Sequence, residues 1–139
     1  MGRTSLGLLL SRRREQFKRL VEISDLTGQL IQAAQRHDQV SMQMLLSMRE
    51  EPLKQLQEIE LGIQKILLTL PVQEAIRCQE LLNGAEAEFE EELPLYELNA
   101  RCRRLLQSSR EMDKRLSLNI CGSHSFYRTF REPESKPTT

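Results

Sequence analysis

An all-α fold, an elongated antiparallel helical bundle or coiled coil of three to four long helices, is what the sequence predicts, and three observations predict it. Runs of alternating β-branched residues are missing, while Leu, Gln, Glu and Arg dominate the 139 residues. Apolar residues recur at helical spacing along most of the chain. The formal charge sums to zero, with 20 basic and 20 acidic side chains, but it is laid out unevenly. Residues 1–36 carry seven positive and three negative charges, 71–100 carry one and eight, and 101–139 carry nine and four. An acidic middle between basic flanks suits segments that double back and neutralise one another. This length makes one domain, spanning 1–130. The polar ending "REPESKPTT" at 131–139 has the composition of a disordered tail.

The first helix is expected over about 5–36. Phe17, Leu20, Val21, Ser24, Gly28 and Ile31 fall on one stripe, and Ile23, Leu26, Leu30 and Ala33 on the opposite side. A helix apolar on two sides is either sandwiched or half uncovered. Ser24 and Gly28 are small enough to let a neighbour come close. Arg36-His37-Asp38 interrupts the pattern, with Asp38 as N-cap of a second helix over 39–70. There Leu45, Pro52, Leu56, Ile59, Ile63, Ile66, Leu67 and Leu70 share a face near heptad spacing. Pro52 removes a backbone donor, which predicts a kink or restart near Glu50-Glu51.

Leu70-Pro71 marks the next stop, with Pro71 suited to a first helical position. A third helix is expected over 72–93, carrying Ile76, Leu81 and Leu82 and meeting a cap or loop at Asn83-Gly84. Pro94 is another break. The last helix, 95–121, shows the clearest pattern: Leu98, Cys102, Leu105, Ser109, Met112, Leu116 and Ile120 on a narrow stripe, Leu106 at its flank and Leu118 facing away. Some 25 residues of helix extend about 37 Å. Gly122 is placed to end it. Three of the six aromatics, Phe126, Tyr127 and Phe130, follow within five residues. They either cover the end of the core or belong to a surface that a partner covers.

Reactive groups do not converge. His37 and His124 are far apart, with no Cys or carboxylate at a ligand spacing. "CGSHS" gathers Cys121, Ser123, His124 and Ser125, but adjacent residues seldom face one another and a base needs a third group to orient it. A glycine-rich phosphate loop and a CxxC pair are both missing, so no catalytic, cofactor or metal site is expected. Cys78, Cys102 and Cys121 form no close pair and suit a reducing compartment. The apolar run Leu6–Leu10 is too short to span a membrane, and its arginines follow it where an export signal would place them before. The expected home is the cytoplasm, without membrane insertion.

Arg12, Arg13, Arg14, Lys18 and Arg19 form a basic cluster. With zero net charge and no interleaved aromatics it reads as a solvated face or as partners for the acidic segment, and no nucleic-acid partner is expected. The run Glu86, Glu88, Glu90, Glu91, Glu92 reads as a solvated face, with a docking patch as the alternative. Met42, Met44 and Met48 either fill the core or offer an adaptable surface.

Two stretches carry a resemblance. "RHDQVSMQMLLSMREEPLKQLQEIE" sets an Asp before spaced leucines around a charged pair. "ELNARCRRLLQSSREMDKRLSLNICGSHSFY" sets Asn, Leu-Leu and a Ser pair before Ser and Tyr. Over roughly 15–130 the chain resembles the FlgN family of flagellar export chaperones. Pro52 and the ending "RTFREP" depart from the family's pattern. The resemblance implies long antiparallel helices and a cytoplasmic protein that binds the terminal helices of hook-associated proteins, holding these junction clients unpolymerised before export. It also implies contact with the export apparatus, and a chaperone that is a monomer or weak homodimer alone. Position by position it implies client contacts at Asn99, Leu105, Leu106, Ser125 and Tyr127. Apolar anchoring adds Met112, Leu116, Leu118, Ile120, Phe126 and Phe130. A FliT-like chaperone of the filament cap is an alternative, and so is a coiled-coil scaffold that binds its own copies.

Overall fold

The computed structural model describes the backbone of residues 3–121 and the side chains of residues 5–118. Every regular element there is helical: α1 Arg3–Gln35, α2 Gln39–Leu68, α3 Val72–Leu82, a 3-10 turn Glu90–Glu92 and α4 Leu93–Cys121. The expected tail at 131–139 and the helix stop at Gly122 lie outside the described residues.

α1 is sandwiched. Leu20 and Ile31 of its first stripe and Ile23, Leu26, Leu30 and Ala33 of its second are all buried. Both α2 and α4 pack along α1, and they barely touch each other. Leu6 and Leu9 join Ile63 and Leu67 of α2, Cys78, Leu81 and Leu82 of α3 and Leu95 of α4 in one cluster. At the other end Leu26, Leu30, Ile31, Ala33 and Ala34 meet Leu45 of α2 and Leu116 of α4. Between them Leu20 packs with Leu98 and Cys102. The run Leu6–Leu10 is therefore the first part of the core helix.

Two reversals share one device. At the end of α1 the Asp38 amide donates to the Ala33 carbonyl (2.9 Å) and the His37 amide to the Ala34 carbonyl (3.1 Å). His37 takes a left-handed φ of 57° to allow it. After α3 the Ala85 amide donates to the Glu80 carbonyl (2.9 Å) and the Gly84 amide to the Leu81 carbonyl (3.0 Å), with Gly84 at φ 104°. Asp38 caps α2 as expected, accepting from the Ser41 amide at 3.1 Å and its hydroxyl at 2.6 Å.

Four expectations need correction. α2 runs unbroken through Pro52. The ring is fully buried, and that burial offsets the one lost backbone bond. The third helix stops at Leu82 rather than 93, because the Gly84 reversal ends it and the acidic run folds into a loop. Pro94 breaks nothing: α4 starts at Leu93, so Pro94 sits in its first turn, where no helical amide is needed. Pro71 also lies one position earlier than expected, as the residue preceding α3.

Candidate functional site

α4 presents its stripe to α1 much as its spacing predicts. Leu98, Cys102 and Leu116 are buried, while Leu105, Ser109 and Met112 are half-buried. Met112 settles over the small residues of α1. Its sulfur lies 3.8 Å from the Ser24 hydroxyl, and its methyl lies 3.8 Å from where a Cβ on Gly28 would stand. On the flank, Arg101 stacks on the Phe17 ring at 4.7 Å from its centre, a cation–π contact.

Because α2 and α4 do not close over α1, a groove of ≈ 270 Å³ opens between them. Leu20 of α1, Leu56 of α2, and Cys102 and Leu106 of α4 supply its apolar lining, with Arg13, Gln16 and Glu60 at its polar end. Leu106 is 39% exposed. Further along, Arg49 of α2 reaches across to Asp113 of α4 at 3.5 Å.

The polar end of the groove is a network. The Arg13 guanidinium donates to Asn99 Oδ1 (2.8 Å), Gln16 Oε1 (2.6 Å) and the Leu82 carbonyl (3.1 Å). Asn99 Nδ2 donates to the Leu81 carbonyl, and Gln16 Nε2 donates to Glu60 (3.1 Å). Carbonyls in the last turn of a helix need such partners. Here α1 and α4 supply them to α3. Burial pulls the Arg13 guanidinium below its ordinary pKa.

A second polar node lies in the acidic loop. Glu92 is fully buried, and Arg77 grips it with two bonds of 2.7 and 3.2 Å. The Glu88 amide adds a third bond at 2.9 Å. Arg77 also donates to the Glu86 carbonyl (3.0 Å) and reaches Glu80 and Glu88. Hydrogen bonding to Arg77 holds the Glu92 carboxyl below the usual range, and the same bond pushes Arg77 upward.

The acidic run is thus no uniform solvated face, since one of its members anchors the loop. The signal was present in the sequence: Arg77 is the single cation among residues 71–100. The basic cluster also divides. Arg13 turns inward, Arg12 pairs with Glu15 at 2.9 Å, and Arg19 meets Gln55 and Glu22.

The expected client-contact residues separate by burial. Asn99 and Leu116 are interior, so neither offers a surface to a partner in this fold. Leu105 and Met112 are half-buried, while Leu106 and Leu118 face out, Leu118 at 60% exposure. The Ile120 side chain and Ser125, Phe126, Tyr127 and Phe130 lie outside the described residues. Ile76 is more than half exposed, and Leu68 and Val72 beside it are more so. α3 meets the core cluster through Cys78, Leu81 and Leu82.

Burial pushes the thiols of Cys78 and Cys102 above their ordinary pKa, the opposite of an activated nucleophile. Among the described residues no group of His, Cys, Asp or Glu could hold a metal ion. No described helix is long and apolar enough to cross a membrane. Neither a family model, nor a curated protein, nor a solved structure matches the chain.

Proposed function

We propose that this chain is a FlgN-like carrier: a cytoplasmic chaperone that binds the terminal helices of hook-associated proteins and keeps them from polymerising before export. The observation that carries the reading is the open groove between α2 and α4, floored by α1 and edged by the half-exposed Leu106. A groove between two helices accepts the apolar stripe of a third. The reading also takes α1, α2 and α4 as alternating in direction. Contacts of Leu6 and Leu9 with Ile63 and Leu67, and of Leu30 and Ala34 with Leu45, support it.

The contact set is revised from the one the resemblance implied. Leu106 and Leu118 are the primary apolar contacts on α4, with Leu105 and Met112 able to contribute their exposed edges. Phe126, Tyr127 and Phe130 supply anchors beyond the helix. Fully covering one such side chain contributes about 1.5–3 kcal/mol. Several together, less the cost of ordering both partners, reach the ~8 kcal/mol of a micromolar complex. That strength suits a carrier that must release.

Packing of the heptad stripe within the chain favours the carrier reading over the scaffold alternative. Leu45, Pro52, Ile63 and Leu67 of the heptad stripe are buried within the chain itself, so they are not available to pair copies. A FliT-like client remains the second reading, because the groove does not distinguish a junction protein from the filament cap. Pull-down with purified junction and cap proteins tests both. Leu106→Asp with Leu118→Asp should abolish capture while circular dichroism stays unchanged. Undiminished capture by this variant would exclude the groove and α4 flank as the binding surface.

A further inference from the structure

The corner where α2 turns into α3 holds an apolar notch that no described residue covers. Its volume is ≈ 390 Å³, and its lining, which includes Leu67, Leu68, Leu70, Val72 and Ile76, contains no charged residue. In a chain that is 29% charged this is a marked exception. Leu68 is 85% exposed, Val72 74% and Ile76 54%. Contiguous exposed apolar side chains of this kind mark interaction sites. The side chains that follow are acidic. From α3 to the 3-10 turn the sequence carries Glu74, Glu80, Glu86, Glu88, Glu90 and Glu91 in addition to the buried Glu92, and Arg77 is its single cation, reaching Glu80 and Glu88 as well as Glu92.

The complement of such a surface is an aromatic segment with positive charge, and this chain contains one. Residues 122–131, "GSHSFYRTFR", hold Phe126, Tyr127 and Phe130 with Arg128 and Arg131, and no acidic residue. Distance decides which copy it comes from. The notch borders the cluster that contains Leu67 and Leu95, whereas Leu116 sits in the cluster at the far end. From residue 95 to 121 helix α4 rises about 39 Å. Phe130 is nine residues beyond Cys121, and nine residues span about 32 Å at most. To approach its own notch a chain's aromatic segment would have to be fully extended, at a high cost in conformational entropy, so the segment of a second copy is the favoured occupant.

We infer that the α2–α3 notch is a docking site for the basic aromatic segment 122–131 of a second copy, giving a head-to-tail contact between chains. Such a contact uses different surfaces on the two partners. It leaves a notch free at one end and a segment free at the other, so association continues beyond two copies as concentration rises. The charge component makes it weaken as salt increases. The contact does not depend on the carrier reading, and no client is needed to see it.

Sedimentation velocity on the full chain over about a hundredfold concentration range tests it by mass action. The wild-type mass should climb above that of the monomer and fall back in high salt. Leu68→Glu with Val72→Glu removes the notch at exposed positions, and Phe126→Ser with Phe130→Ser removes the anchors. Each double variant alone should stay monomeric. Mixed in equal amounts, they should form a one-to-one dimer that grows no further, because only one intact notch and one intact segment remain to meet. Should helicity drop in the notch variant, Ile76→Glu replaces it. A monomeric wild type, self-association that survives either double variant, or a mixture that stays monomeric would each overturn the inference.

Discussion

The two ends of the helical body are held together by different chemistry. At the end where α3 packs, two buried polar nodes reinforce the aliphatic cluster of Leu6, Leu9, Ile63 and Leu81. Arg77 clamps Glu92, and Arg13 with Asn99 closes the last turn of α3. At the other end the contacts are Leu26, Leu30, Ile31, Leu45 and Leu116, edged by Met42 and Met112. Directional bonds hold the first end to one geometry, since a half-satisfied buried network is costly. Aliphatic and thioether packing tolerates small displacements. Among the described residues, the end with fewer directional ties is also the end from which Leu118 projects. The carrier reading requires adaptability there.

The most damaging break in this comparison is Arg77→Ala. It strands a fully buried carboxylate, and removing one partner of a buried pair costs about 3–5 kcal/mol. Urea denaturation should show a loss of that size. Leu30→Ala, at the centre of the other end, deletes a side chain with no exposure and should cost about 2–5 kcal/mol. The distinction lies in acid. The Glu92 pKa is depressed in the fold. Its contribution is complete above the ordinary Glu value of about 4.3 and is lost as pH falls through the depressed native value. Arg77→Ala should flatten that acid limb, whereas Leu30→Ala should leave its slope unchanged. Equal slopes in the two variants would show that the clamp contributes no linkage.

How much of this was legible beforehand follows the same division. Residues whose role is set by helix spacing were readable: most of both stripes of α1 (Val21 of the first is exposed), the Leu98 to Leu116 stripe and the Asp38 cap. Spacing is local, and burial of a stripe needs only some neighbour. Residues whose role depends on which neighbour arrives were not readable. Asn99 looked like a surface contact until α3 brought the Leu81 carbonyl, and α1 the Arg13 guanidinium, within hydrogen-bond reach. Glu92 looked solvated until Arg77 came within reach. Pro52 looked like a break, but a buried ring in a long helix is tolerated when its surroundings hold it. Ile76 lies about 120–140° around α3 from Leu82 and Leu81, so it stays outward while those two meet the core.

Asn99 sharpens the comparison at a smaller scale. Asn99→Leu keeps the volume but leaves the Arg13 guanidinium and the Leu81 carbonyl each short of a partner, for about 1–3 kcal/mol. If Asn99 acted mainly by gripping a client, stability would not move and capture would fall. The fold leads us to expect the reverse at equal protein concentration. His37→Gly tests the opposite reversal. A non-glycine residue in the left-handed region costs about 1–2 kcal/mol, partly recovered by glycine at the price of a looser unfolded chain. The expected outcome is a gain of up to about 1 kcal/mol, visible as a raised Tm.

The smallest stability effect carries the most functional information. Leu118 is 60% exposed near the end of α4, and a substitution at such a position changes stability by only about ±0.5 kcal/mol. Leu118→Asp should therefore denature with the wild type in urea. If this face takes a client's apolar helix, the same variant loses a contact and places a charge where water is excluded. The predicted weakening of capture is about tenfold or more, from the ~1.4 kcal/mol that a factor of ten represents. Leu116→Ala, one turn face away and buried, should do the converse, costing about 2–5 kcal/mol of stability while the remaining folded protein still binds. Two residues of one helix, two positions apart, would then separate holding the fold from holding a guest. If Leu118→Asp bound as well as the wild type in titration calorimetry, the adaptable end would be only a weaker end, and the contrast between the two would have no functional meaning.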